Sequence, residues 1–403
     1  MKWEEVELAD IAHVVTKGTT PTTMGRQFTD SGVNYIKAEA LNGDFSLESQ
    51  SFSFIDDETH NLLKRSILQE EDILVTIAGA QVGKCGYVRG EHLPANTNQA
   101  VGIVRVNKQK ADSRFIYYYF KQPSTFSLCQ TLGAAQAAQP NVNLTVLKGF
   151  KIPLPSRTEQ ARIAETLSAY DDLMENNSRR MALLEESARL LYREWFVRLR
   201  FPSYEHARIT NGIPEGWNRK TLGDICTDLR ETVSPDALEP DTPYIGLEHL
   251  PRRSISLTEW GTAEAVTSTK LRYKTGDILF GKIRPYFHKV GIAFTDGVAS
   301  SDAIVIRANT DELQSLVLMV VSSDEFVAEA SQTMREGSKM PRADWKHMIK
   351  YPVVFPPQGL LADFTETVTA ITDQLRNLCF QNQKLRAARD LLLPKLMSGE
   401  LAV

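Results

Sequence analysis

From Ile163 onward, apolar side chains recur at Ile163, Leu167, Tyr170, Met174, Met181, Leu184, Ala188, Leu191 and Trp195, with Asn177 as a polar intruder. The alternating spacing of four and three is the heptad seam of a coiled coil. Ser156 precedes the seam with Glu159 three residues on, the pattern of a helix cap. A helix over 157–198 would be roughly 60 Å long at about 1.5 Å per residue. A second seam runs through Phe364, Val368, Ile371, Leu375, Leu378, Asn382, Leu385, Arg389, Leu392 and Leu396. Each of its positions lies 201 residues after its counterpart in the first, as Ile163 and Phe364 show. If the two helices pair antiparallel, Ile163 meets Leu396 and Trp195 meets Phe364. Asn177 then falls opposite Asn382, and the two amides can hydrogen-bond across the seam. A slip by one heptad would set each amide against hydrocarbon at about 1–3 kcal/mol. The pair is therefore expected to pin the register, as a buried Asn does in other coiled coils. The same alignment sets Arg389 against Tyr170, where stacking would tolerate the charge.

Outside the seams the pattern is short and β-rich. DILVTIAG (72–79) reads as a strand and turn, and AVGIVRV (100–106) as a buried strand. RFIYYYFKQ (114–122) reads as a short helix packed by its aromatic residues. The prolines of KIPLP (151–155) bar further helix or a central strand. The second half restates the first. Trp3, Leu8, Asp10 and Ile11 recur as Trp217, Leu222, Asp224 and Ile225, 214 residues on. Tyr35-Ile36 recurs as Tyr244-Ile245 (shift 209), and Asp72-Ile73-Leu74 as Asp277-Ile278-Leu279 (shift 205). A period this long is not that of a solenoid; it describes a duplicated chain offering two similar surfaces.

Composition changes this picture little. With 403 residues, 42% hydrophobic and 24% charged, the chain has material for two to four globular domains. No apolar run approaches a membrane span. The acidic, amphipathic start MKWEEVELAD does not read as a signal peptide. The four cysteines are far apart without a CxxC pair, and read as reduced thiols of a cytoplasmic protein. A net charge of −4 weighs against nucleic-acid binding unless Lys and Arg are locally concentrated.

Catalytic signatures fail on inspection. GAQVGKC (79–85) is one residue short of a phosphate-binding loop, and Cys stands where Ser or Thr would hold Mg²⁺. Pro240-Asp241 and Asp344-Trp345-Lys346 suggest a nuclease carboxylate set, but about a hundred residues separate them and the first half does not repeat them. There is no GxSxG elbow, no HExxH and no methyl-transfer motif. Neither a metal nor a cofactor is expected.

What recurs in both halves is polar and basic loop positions. In the first half these are Lys37 and Glu39; Thr76, Gln81 and Lys84; Asn96, Asn98 and Gln99; and Gln136, Gln139, Asn141 and Asn143 within GAAQAAQPNVN. In the second they are Glu248, His249, Arg252 and Arg253; Lys282, Arg284, Tyr286, His288 and Lys289; Ser301; and Lys339 and Arg342 within GSKMPRAD. Amides read adenine bidentately, Arg and Lys read guanine, and carboxylates accept from cytosine. Any one of these residues alone would pass for an ordinary solvated loop position.

Residues 155–217 and 356–403 carry a family resemblance. EQARIAETLSAYDDLMENNSRRMALLEESARLLYREWFVRLRFP, the IPEGW that opens the second half and the ending LLLPKLMSGEL together resemble the DNA-specificity (S) subunits of type I restriction–modification systems. The resemblance implies an α+β chain with pseudo-twofold internal duplication. A target-recognition domain (1–155) and a long helix (156–200) lead through a linker (201–217) to a second recognition domain (218–355) and a second long helix (356–403). It further implies that each domain reads one half of a bipartite, asymmetric double-stranded DNA site. The antiparallel helices would set the spacer and dock two methyltransferase (modification) subunits, with restriction (nuclease–translocase) subunits joining them. Such a subunit has no catalysis of its own. The competing reading is a non-catalytic coiled-coil adaptor with two peptide-binding domains, which a salt-dependent, sequence-selective DNA shift would exclude.

Overall fold

In the computed structural model, residues 3–134, 141–210, 212–332 and 341–402 are described. The chain divides into two compact units, 1–174 with 384–403, and 175–383. The boundaries fall inside the two long helices, Arg157–Tyr192 and Gln358–Met397, so each unit contains part of both. The reason is packing: seam residues belong to the globular cores. Ile163, Leu167 and Leu396 are buried with the core of the first unit. Met181, Ala188, Phe364, Val368 and Leu375 are buried with that of the second.

In the first unit, strands Ala12–Lys17, Val101–Val106, Ile73–Thr76 and Cys85–Tyr87 form an antiparallel sheet in that order. A second sheet joins Ser53–Ile55, Val33–Ile36 and Ala95–Thr97, the last two parallel. The strand within DILVTIAG explains its own composition. Ile73 and Val75 belong to one core and Leu74 to another, so both faces are buried and no polar alternation is possible. Helix Ser113–Lys121 carries three buried tyrosines whose hydroxyls all donate: Tyr117 to Phe45 O (2.6 Å), Tyr118 to Asp171 Oδ2 (2.8 Å) and Tyr119 to Lys151 O (2.9 Å). KIPLP supplies strand Lys151–Leu154, which pairs only with Glu4–Glu7 and so tolerates its prolines.

The second unit repeats these pairings, with its two main sheets enlarged to five strands each. Ile73 opposite Val104 returns as Ile278 opposite Ile306, and Ile73 opposite Tyr87 as Ile278 opposite Ile292. The parallel pair Tyr35–Asn96 returns as Tyr244–Val298, and the terminal pair Glu4–Leu154 as Asn218–Phe355. An ion pair on a buried carboxylate returns with them. Arg105 grips Asp72 through two bonds of 2.7 Å, and Arg307 grips Asp277 through bonds of 2.6 and 2.7 Å. Each carboxylate also accepts a turn N–H, from Gln69 in one unit and Lys274 in the other.

The long helices pair antiparallel within each unit. Asn177 Nδ2 donates to Asn382 Oδ1 at 2.9 Å, and the Trp195 and Phe364 rings lie 5.9 Å apart. Ser156 Oγ accepts from Glu159 N–H at 3.3 Å, capping the first helix. Two details differ from the sequence reading. The first helix leaves α-geometry at Tyr192 and closes with a π-turn over Arg193–Val197. Arg389 does not rest on Tyr170: its guanidinium donates to Asp171 (2.7 Å) and Asp390 (2.7 Å). A hydrogen-bonded carboxylate compensates a buried cation better than a ring face does. All four cysteines are buried and form no disulfide, and no helix among the described residues is long and apolar enough to cross a membrane.

Candidate nucleic-acid interface

Each unit carries a hairpin tip and a segment that bridges it. In the first unit the turn after Ile73–Thr76 is closed by Thr76 N–H to Lys84 O (2.7 Å) and Gly83 N–H to Thr76 O (2.8 Å). Ala78 forms a β-bridge with Asn141, and Val142 N–H donates to Ile77 O at 2.8 Å. In the second unit Gly281 N–H reaches Lys289 O (2.8 Å), Ile283 bridges Arg342, and Ala343 N–H donates to Lys282 O (2.8 Å). The same backbone scaffold thus presents different side chains.

In the first unit the scaffold borders an open cleft of about 390 Å³, lined by Lys17, Thr19, Arg65, Gln99, Asn141 and Asn143 among others. Gly18 lets the chain pass under it: a Cβ there would lie 2.1 Å from Thr97 O. Three of the sequence candidates, Gln99, Asn141 and Asn143, meet in this cleft, and Gln81 and Lys84 lie on the adjoining turn. Asn143 also caps helix Leu144–Lys148, accepting from Val146 N–H at 2.9 Å. Lys17, Thr19 and Arg65 were not among the candidates legible in the sequence. Arg65 donates to Thr19 Oγ1 at 3.2 Å, and only the tertiary fold brings these two elements to Asn141.

Other first-unit candidates are placed differently. Lys37 sits with its Nζ 4.1 Å from the centroid of the Phe28 ring, and Glu39 is exposed. Thr76 is buried, and so is Asn96, whose amide donates to Leu63 O and Ser66 Oγ. Both belong to the scaffold. Asn98 is half-buried with its Oδ1 enclosed. Gln136 and Gln139 lie outside the described residues, as does Lys339 in the second half.

In the second unit the turn bears an exposed tip. Tyr286 is 52% exposed and packs edge-on against Phe287, with centroids 5.0 Å apart. The Arg252 guanidinium lies 4.2 Å from the centroid of the Phe287 ring, and Arg284, Glu248 and Ser301 are exposed. Several candidates are already engaged. Arg342 pairs with Asp302 at 3.3 Å and Arg253 with Asp324 at 2.8 Å. Lys282 donates to Ser301 O and Lys289 to Leu247 O. Burial, with Arg252 nearby, holds the Lys289 ammonium below its usual pKa. His249 Nδ1 accepts from Gly246 N–H at 3.0 Å, locking its own turn. His288 is buried with Nε2–H donating to Ser322 O at 2.9 Å, and burial lowers its pKa. It fixes the base of the turn and is not a surface reader.

Residues 1–186 match the family model described as the type I restriction modification DNA specificity domain. Over its full length the chain is 25% identical to the type I restriction enzyme MjaIX specificity subunit of Methanocaldococcus jannaschii, covering 94% of that protein. It is 24% identical to the EcoDI specificity subunit of Escherichia coli over 65% of each chain. The crystal structure of the type I restriction-modification S subunit from M. genitalium superposes with a TM-score of 0.59 at 16% identity, over 98% of this chain and 96% of that one. That likeness reports the fold, which is the duplicated wiring described above. Wiring and sequence matches agree: residues 1–186 match the DNA specificity domain model, and the whole chain is similar to type I restriction enzyme specificity subunits.

Proposed function

We propose that this chain reads duplex DNA for a type I restriction–modification complex, each unit recognising one half of a bipartite, asymmetric site. The long helices set the unread spacer and dock two methyltransferase subunits, and restriction subunits join that core in the cytoplasm. The chain carries no catalysis of its own; it directs adenine methylation or cleavage by its partners and needs neither metal nor cofactor. One observation carries this reading. A single hairpin-and-bridge scaffold recurs in both units, with Gln81 and Asn141 on one copy and Tyr286 and Arg342 on the other. Side chains on a rigid, repeated backbone are suited to reading base edges, and unlike side chains on two copies suit two unlike half-sites.

The test is methylome sequencing of a host expressing the complex, before and after residues 1–154 are exchanged for another recognition domain. The expected result is a two-part motif in which one half alone changes. A motif in which both halves change, or in which neither does, overturns the assignment.

A further inference from the structure

The recurring hairpin turn contains an anomaly in one of its two copies. The five residues from Gly79 to Gly83 correspond to those from Arg284 to His288 at a shift of 205. In both copies the fourth residue turns back on the first: Val82 N–H to Gly79 O (3.4 Å), and Phe287 N–H to Arg284 O (2.9 Å). Both copies also begin and end in the left-handed region. The φ values are 100° and 93° at Gly79 and Gly83, and 48° and 54° at Arg284 and His288. Glycine occupies both positions in the first copy, where that conformation carries no side-chain penalty. The second copy sets an arginine and a histidine at these positive-φ positions, where a side chain carries a cost.

The two side chains are not equivalent in what they return to the fold. His288 is buried and bonded to Ser322 O, with Asp324 3.3 Å from Nδ1, so its ring anchors the turn. Arg284 anchors nothing comparable. Its backbone N–H donates to Pro341 O at 2.9 Å, a bond a glycine would make equally well. Its side chain is exposed, and among the described residues it forms no ion pair; the nearest ring, Phe287, lies 5.9 Å from its guanidinium carbon. Two residues on, Tyr286 is exposed as well.

We propose that Arg284 is a specificity-determining residue: it reads a guanine edge in the half-site recognised by the second unit, and its backbone strain is tolerated for that contact. Gln81, the counterpart of Tyr286 at the tip of the glycine-flanked turn, reads the half-site of the first unit from the equivalent place. This inference rests on the DNA-reading function above. Arginine matches guanine O6 and N7 bidentately, whereas lysine offers a single point charge.

The assembled complex of the full chain with its methyltransferase subunits is tested as wild type, Arg284→Gly, Arg284→Lys and Gln81→Ala, by methylome sequencing, DNA affinity and thermal unfolding. Arg284→Gly removes the fork and the strain together. Its expected result is a loss of about tenfold in affinity for the cognate site. Discrimination should relax at one base pair of one half-site, with an unfolding midpoint equal to or above wild type. Arg284→Lys should not restore discrimination, and Gln81→Ala should relax the other half-site only. A wild-type methylome without a defined motif overturns the DNA-reading function itself. Given a selective wild type, three results overturn the present inference alone: an Arg284→Gly methylome identical to wild type, a uniform weakening with the motif intact, or a lowered unfolding midpoint.

Discussion

Asp171 carries more of the first unit than any seam position suggests. Its carboxylate accepts from Lys121 (2.9 Å), Arg389 (2.7 Å) and Tyr118 (2.8 Å), so one residue of the first long helix ties the aromatic helix and the second long helix together. Burial by itself would raise its pKa, but Lys121 and Arg389 outweigh burial and hold the carboxyl below its ordinary value of 3.8. The Lys121 ammonium, buried and sharing that carboxylate with Arg389, is held below its own usual value. A carboxyl whose pKa is depressed by folding stabilises fully above its unfolded value, and the contribution fades as pH falls through the folded one. Acid unfolding of the first unit is therefore expected to set in below about pH 4. Asp171→Asn leaves the buried Lys121 without its charge partner and Arg389 with Asp390 alone, which costs about 3–5 kcal/mol. Denaturant unfolding should show this loss together with a flatter acid limb; a loss under about 1 kcal/mol would reduce the cluster to a surface ion pair. None of this was legible in the seam, which assigned Arg389 to Tyr170. Heptad spacing says which residues face the partner helix, but a guanidinium reaches beyond its own position to the best acceptor within range.

At the scale of the helices, periodicity was a sufficient guide. Because 3.5-residue spacing specifies a facing stripe, the Asn177–Asn382 meeting followed from position counting once antiparallel pairing was supposed. The proposed role of the pair in fixing register has its own test. Replacing both residues by Leu is expected to raise the unfolding midpoint, since a buried amide pair stabilises less than packed hydrocarbon, while admitting alternative registers. The measurement is the spacer length in the methylome of the double variant: a broadened spacer supports the role, and an unchanged single spacer overturns it. Periodicity failed at Arg193–Val197, where Arg198 N–H reaches back five residues to Arg193 O at 2.8 Å. A π-turn inserts one residue locally, and a pattern of apolar positions on either side does not register it.

At the scale of the whole chain the charge balance makes a prediction. Duplex affinity comes largely from phosphate neutralisation, and a chain of net charge −4 supplies little in aggregate. Several of its basic side chains are also spent internally, Arg342 on Asp302 and Lys289 on Leu247 O among them. The isolated chain is expected to bind DNA weakly, and affinity, selectivity and the slope against salt should all rise on addition of methyltransferase. Equal affinity of the chain alone and the complex at physiological salt would refute this. The duplication, the two seams and, once antiparallel pairing is supposed, their register were legible in the sequence, because these depend on local periodicity and on recurrence at fixed shifts. The tertiary structure alone decided which polar residues meet. Lys17, Arg65 and Asn141 come from three separated segments, and Asp72 and Asp277 find Arg105 and Arg307 across strand pairs. Thr76 and His288 read like the exposed candidates around them, yet the fold buries both. Burial and long-range contact arise from chain closure, to which no single segment of sequence holds the key.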